Sequence, residues 1–211
     1  MFGLSPLMAS PKISINTATR AEWESSTVFP PIQLEASNTR LVLPSGNSGV
    51  GKTARSTLSL FGKKYFEFII LDVMDGYGTT TGIGIADSAQ PWDSQNLSTG
   101  GANAKNVGLW PSGRIYRASS YSENPTLVYK DGDIIMVAAD RVNGRVYFGK
   151  NGAWPSGVNP GGNAGWQSPL NTGGTMYVAC SPWSSVSRTV KVEIAIGAGL
   201  TYPIPVGFSS L

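Results

Sequence analysis

A chain of 211 residues with 10% aromatic and only 14% charged side chains is too apolar to stay disordered, and it is long enough to bury one real core beside a short arm. Its net charge of +3 is scattered, with only Lys63-Lys64 adjacent, which excludes the clustered basic patch that nucleic-acid binding requires. With no histidine and a single cysteine, Cys180, the chain cannot build a Ser-His-Asp or Cys-His catalytic set, a His-based zinc site or an intramolecular disulfide.

Residues 1–35 stand apart. Pro6, Pro11, Pro30 and Pro31 punctuate them, and neither a strand nor a helix period lasts. Thr17 to Trp23 has room for one helical turn, with Thr17 or Thr19 as its cap. The first ten residues lack the basic and long apolar regions of a secretory signal. No stretch of the chain approaches the roughly 20 apolar residues of a membrane span. Phe2, Leu4, Leu7, Met8, Trp23 and Phe29 are costly to leave in water. The segment is therefore expected to be an anchoring or oligomerisation arm, with a flexible tail as the alternative, and residues 36–211 to form one β domain.

Gly46-Asn47-Ser48-Gly49-Val50-Gly51-Lys52-Thr53 matches the phosphate-binding pattern GxxxxGK[ST] residue for residue, and Phe68-Ile69-Ile70-Leu71-Asp72 imitates the acidic strand that accompanies it. The motif carries chemistry only between a buried strand and a helix N-terminus. The next residues, Ala54 to Gly62, are rich in Ser and Thr and alternate Leu58 and Leu60 in strand fashion. Asp72 also comes too soon for a crossover helix. The match is read as a decoy.

From Leu41 onward short strand candidates recur with turn signals between them. They are Leu41–Leu43, Thr57–Phe61, Tyr65–Val73, Gly82–Ala86, Arg114–Tyr116, Thr126–Tyr129, Ile134–Asp140, Arg145–Lys150, Thr175–Cys180 and Thr189–Ile196. The 26 glycines and 14 prolines suit the many turns. Tyr65–Val73 is apolar on both faces, as a central strand would be, whereas Thr189–Ile196 alternates like a half-exposed one. The pattern is that of an all-β sandwich. Lys63-Lys64, at a strand start, would blunt a sheet edge.

Chemistry is scarce along these elements. Glu67 and Asp72 lie on one strand at opposite parity, so they cannot form the facing acids of a glycosidase, and Asp75-Gly76 reads as the turn beyond. Asp131-Gly132-Asp133 and Asp87 offer too few oxygens for calcium and read better as turns. Cys180, Trp110, Tyr147 and Phe148 read as core. Neither a catalytic set nor a cofactor or metal is expected. Tyr77, Trp92, Tyr121, Trp166 and Trp183 sit instead in polar loops. Each is either an anchor of a binding surface or a lid folded onto its own sandwich end.

Gly132 to Gly152 carries the clearest local signal. An apolar run ends at Asn143-Gly144, a β-forming run comes next, and Asn151-Gly152 closes the unit. Asn-Gly supplies the two φ > 0 residues of a type I′ turn, so a hairpin turning at Asn143-Gly144 is expected.

The segment Gly132–Trp154 resembles the signature of SPRY domains. Phe61–Phe68, Gly82–Ala86, Val107–Tyr116 and Pro203–Phe208 resemble other family segments in the family's order. The resemblance covers about Ala36 to the C-terminus and implies a concanavalin-like antiparallel β-sandwich behind a mostly irregular N-terminal arm. The Asn/Gly/Pro-rich insertion from Val158 to Pro169 is similar to SPRY modules of tailed-bacteriophage virion proteins. That likeness implies a non-enzymatic virion component: a fibre, spike, tail-tip or capsid-decoration protein, made in the host cytoplasm and located on the particle surface. Its implied partners are other virion proteins through the arm, a host cell-surface glycan or protein through the loops, and further copies of itself, a trimer first, because fibre-like phage proteins are usually trimeric. No membrane insertion and no nucleic-acid partner are expected. The alternative is a SPRY-type adaptor that captures a peptide in a loop groove, and the third reading is the P-loop nucleotide hydrolase.

Overall fold

A computed structural model describes residues 22–28, 30–45, 52–73, 81–89, 97, 106–117, 120–165, 167–170, 172–182 and 189–211. These residues form fourteen strands in chain order: β1 Gln33–Glu35, β2 Arg40–Leu43, β3 Ala54–Leu60, β4 Lys63–Asp72, β5 Gly82–Asp87, β6 Val107–Leu109, β7 Arg114–Arg117, β8 Ser120–Glu123, β9 Ile134–Asp140, β10 Arg145–Lys150, β11 Ser168–Pro169, β12 Met176–Ser181, β13 Val190–Ala195 and β14 Ser209–Ser210. The helical content described is three single 3-10 turns. One sheet runs β1-β2-β13-β4-β9-β10-β11, with β14 added in parallel beside the start of β4, and the other runs β3-β12-β5-β6-β7-β8. All other pairings are antiparallel. The fold is the all-β antiparallel sandwich expected.

Alternation along each strand places one set of side chains between the sheets. Phe66, Phe68 and Ile70 of β4, Val137 of β9, Phe148 of β10, Ile83 and Ile85 of β5, and Cys180 of β12 are all fully buried there. The opposite face of the larger sheet is covered as well. Tyr65, Met136, Ala138 and Tyr147 form a second cluster beneath Trp154, Val158, Leu200, Tyr202 and Phe208. The apolar character of both faces of Tyr65–Val73 thus has a structural cause: β4 is central, and its outer face lies under the C-terminal segment. Lys63 and Lys64 therefore do not blunt an edge. Lys63 pairs with Asp140 at 2.9 Å, and Lys64 donates to the Ser210 carbonyl at 2.9 Å.

Three local expectations change. The β9–β10 hairpin pairs Asp140 with Arg145 and closes over Arg141–Gly144, with Gly144 at φ +62 and Asn143 outside the positive-φ region. Asp140 accepts the Asn143 amide at 2.9 Å and its side-chain nitrogen at 2.7 Å, which holds a wider loop than a two-residue turn. The type I′ geometry lies instead at Asn151-Gly152, φ +51 and +82, between Lys150 and Ala153, which exchange two backbone hydrogen bonds. Thr126–Tyr129 is not a strand. Asn124 caps a 3-10 turn at Pro125–Leu127 by accepting from the Thr126 N–H. Finally, the sandwich begins before residue 36: β1 pairs with β2, and Trp23 bridges Ser56.

Candidate binding groove

The outer face of the larger sheet carries a groove of about 380 Å³ lined by Trp154, Asn159–Gly162 and Pro203–Val206. Its floor is set by the hairpin turn. Asn151-Gly152 reverses the chain, and Trp154 then lies back across β10 at Gly149. A Cβ at Gly149 would stand 2.4 Å from Met136 Cε and 2.8 Å from Trp154 Cε3, so only glycine lets the indole settle there.

One wall belongs to the insertion. Asn159 and Ala164 exchange backbone hydrogen bonds of 2.9 and 3.0 Å, and Asn159 Oδ1 accepts the Gly162 N–H at 3.1 Å. Arg145 ties this loop to the sheet by donating to the Asn163 carbonyl at 2.9 Å. The other wall hangs from Glu67. That side chain is fully buried on β4, and its carboxylate accepts the Thr201 N–H at 2.8 Å, the Tyr202 N–H at 2.9 Å and the Tyr65 hydroxyl at 2.7 Å. Burial first, and then the bond to Glu67, raise the Tyr65 phenol well above its ordinary value. Pro203 to Val206 come directly after these amides, and the Phe208 N–H closes the segment onto the Pro205 carbonyl at 3.0 Å.

Among the described residues the lining has no charged side chain. Val206 is 85% exposed and Ile204 39%, large values for aliphatic residues. Prolines at 160, 203 and 205 fix φ along both walls. The described walls therefore present apolar and aromatic surface on backbone that the prolines hold stiff.

The other acids near the sheets, of which Asp87, Asp133 and Asp140 are buried, serve as structural braces. Asp133 accepts the Lys130 N–H at 2.9 Å and the Asn151 side chain at 2.6 Å, linking the start of β9 to the end of β10. Asp140 is held by Lys63 and Asn143; burial pushes its carboxyl up, but those hydrogen bonds and the lysine charge outweigh that and leave it below its usual value. Asp131 accepts the Val73 N–H, and Asp87 caps the turn after β5 through the Ala89 N–H. Burial pushes the Cys180 thiol up and away from reactivity. No three metal-ligating side chains come together among the described residues.

Of the aromatics singled out from the sequence, Tyr121 is described. It lies on edge strand β8 and not in a loop, 53% exposed, with the Arg114 guanidinium 4.7 Å above its ring and Tyr116 beside it at 5.2 Å. Tyr77, Trp92, Trp166 and Trp183 lie outside the described residues, as do Phe2, Leu4, Leu7 and Phe29 of the expected arm. Trp23 is a correction. It is 1% exposed in the main core, and its indole donates to the Thr39 carbonyl at 3.0 Å, so it cannot anchor a neighbour. Its surroundings in sequence are irregular and polar, and its burial comes from long-range pairing. Lys52 and Thr53 lead into strand β3 and not into a helix. Thr53 is buried against Ser181 at 2.6 Å, and Lys52 donates to the Pro30 carbonyl at 3.2 Å, while residues 46–51 lie outside the described set. The helix a phosphate loop needs is missing there. Sequence reasoning misses the groove. Its signal is Trp154 after the Asn-Gly turn, together with two proline-rich segments 40 or more residues apart.

No family model matches the chain, and no curated protein matches it. Solved structures do. The SPRY domain of human HERC1 superposes with a TM-score of 0.55 at 16% identity, covering 82% of this chain and 96% of that one. The TRIM65 PSpry domain gives 0.56 at 9% identity over 83% and 91%. Stonustoxin gives 0.56 at 13% identity over 82% of this chain, which matches 26% of the toxin. At these identities the likeness is one of fold: a SPRY-type sandwich.

Proposed function

We propose that the chain is a non-enzymatic binding module that grips a neutral ligand in the groove between Asn159–Gly162 and Pro203–Val206. The single observation that supports this most is the groove itself: an uncharged, proline-walled site on an indole floor, with Val206 85% exposed. The SPRY-type fold agrees, since such a sandwich supplies a rigid scaffold for loops. The insertion that builds one wall is the segment whose sequence resembles tailed-phage virion modules. We therefore read the protein as a virion component, such as a fibre, tail-tip or capsid-decoration protein, whose groove meets a host-surface glycan or protein. Residues before Glu22 would attach it to the particle.

The test uses fluorescently labelled full-length chain against a panel of bacterial cells and a glycan array, beside immunogold labelling of phage particles from the same source. Saturable cell or glycan binding with gold on the particles supports the reading. Binding to peptides alone, with unlabelled particles, supports an adaptor and overturns the virion role.

A further inference from the structure

The main paths of the two sheets end, among the described residues, in four edge strands, apart from the two-residue β14 beside β4, and three of the four are blocked. β3 is covered by Glu22–Glu24: the Thr57 N–H donates to the Glu22 carbonyl at 2.7 Å and the Glu24 N–H to the Arg55 carbonyl at 2.8 Å. β11 is two residues long and contains Pro169. β1 is three residues, set between Pro30-Pro31 and the left-handed run Ala36–Asn38. Proline, shortness and covering segments are the devices that keep sheet edges from pairing.

β8 has neither a proline nor, among the described residues, a covering segment. Ser120–Glu123 is exposed at every residue, contains no proline and pairs with β7 without a bulge. Its one charge is matched within the chain, because Arg114 Nε lies 2.6 Å from Glu123 Oε1. The ladder also fixes which backbone groups are open. The Asn124 N–H donates to the Gly113 carbonyl at 2.9 Å, so Ser122 and Ser120, at the same parity, turn their N–H and C=O toward β7. Tyr121 and Glu123 turn theirs outward. The close ring contact of Tyr116 and Tyr121 is what a non-hydrogen-bonded pair gives.

We propose that β8 is a self-association edge, at which two copies pair antiparallel about a two-fold axis through Ser122 and join their small sheets into one. In that register Tyr121 of each copy exchanges both backbone hydrogen bonds with Glu123 of the other, using all four open groups on each strand. Ser122 faces Ser122. Each Tyr121 ring stands opposite a Glu123 already neutralised by Arg114, so no like charges oppose one another. An isologous edge of this kind closes as a dimer and does not propagate.

The test is sedimentation of the full-length chain across a concentration series, with three variants. Wild type is expected to dimerise. Tyr121→Pro removes an outward N–H at an edge position and is expected to sediment as a monomer with unchanged circular dichroism. Ser122→Cys is expected to form a disulfide-linked dimer on mild oxidation, since a facing non-hydrogen-bonded pair brings the Cα atoms to about 4.5 Å, within disulfide range. Ser120→Cys is not, and the buried Cys180 stays silent. If Tyr121→Pro fails to fold, the two cysteine variants still decide. A wild type that stays monomeric with no Ser122→Cys cross-link overturns the proposal. So does an oligomer, a trimer included, that survives Tyr121→Pro and leaves Ser122→Cys unlinked.

Discussion

The Tyr65 hydroxyl donates to Glu67 Oε1 at 2.7 Å two residues further along β4, and the same carboxylate accepts the amides of Thr201 and Tyr202. A buried acid in the middle of a central strand thus holds the segment that forms one wall of the groove. It does so without a cation, through three donors aimed at two oxygens.

Removing the hydroxyl and removing the acid should have different consequences. Tyr65→Phe takes away one donor to a carboxylate and is expected to cost about 1.5–3 kcal/mol in urea unfolding. Glu67→Ala also strands two amides and is expected to cost more. It should loosen one region selectively, with amide exchange of residues 197–208 accelerating well ahead of that of β4 and β9. Equal protection in both regions would contradict the link from Glu67 to the wall.

How much of this is legible in sequence depends on the range of each contact. The segment Gly132–Gly152 announces its hairpin because its signature residues brace one another locally: Asp133 meets Asn151, and Asp140 meets Asn143. Even so, the sequence points to the wrong Asn-Gly for the type I′ turn, since the Asp140 carboxylate takes the Asn143 amide and side chain and holds a wider loop. Glu67 reads in sequence only as half of a failed catalytic pair, although an acid inside Tyr65–Val73 already implies buried donors. One donor, Tyr65, is two residues away, but the Thr201 and Tyr202 amides lie more than 130 residues away, which no local period reports. Trp23 reads as part of the arm for the same reason, as its burial depends on Ser56 and Thr39.

The pH dependence should have two limbs. The Asp140 carboxyl lies below its ordinary value in the folded chain, so its stabilising contribution is present above the unfolded value near 4 and is lost as pH falls through the folded one. Tyr65 and Tyr129 are raised, chiefly by burial, so their contribution is complete below the unfolded value of about 10 and declines as pH rises beyond it. Asp140→Asn should flatten the acid limb of a thermal-stability profile and leave the alkaline limb unchanged. An acid limb unaltered in that variant would remove Asp140 as its source.

Truncation should separate arm from sandwich. Deleting residues 1–20 is expected to leave melting unchanged, whereas deleting 1–30 removes Trp23 and uncovers β3 and is expected to cost about 3 kcal/mol or more. Equal stability of the two truncations would contradict the core role of Trp23.

Lys52→Ala should fold as wild type does, and neither chain should bind ATP or GTP with magnesium in a calorimetric titration. Micromolar affinity abolished by that one change would restore the phosphate loop that strand β3 argues against.

The central claim is that the groove binds. Val206 is 85% exposed, so Val206→Asp should change stability by no more than about 0.5 kcal/mol. A carboxylate there would have to be desolvated against any ligand lying between the proline walls. The measurement is the affinity of labelled full-length chain, wild type against Val206→Asp, for the cell strain or glycan that binds wild type. The expected result is a loss of about 30-fold or more, equivalent to about 2 kcal/mol. Undiminished binding by Val206→Asp, with binding lost instead in Tyr121→Ala, would contradict the claim and move the site to the smaller sheet.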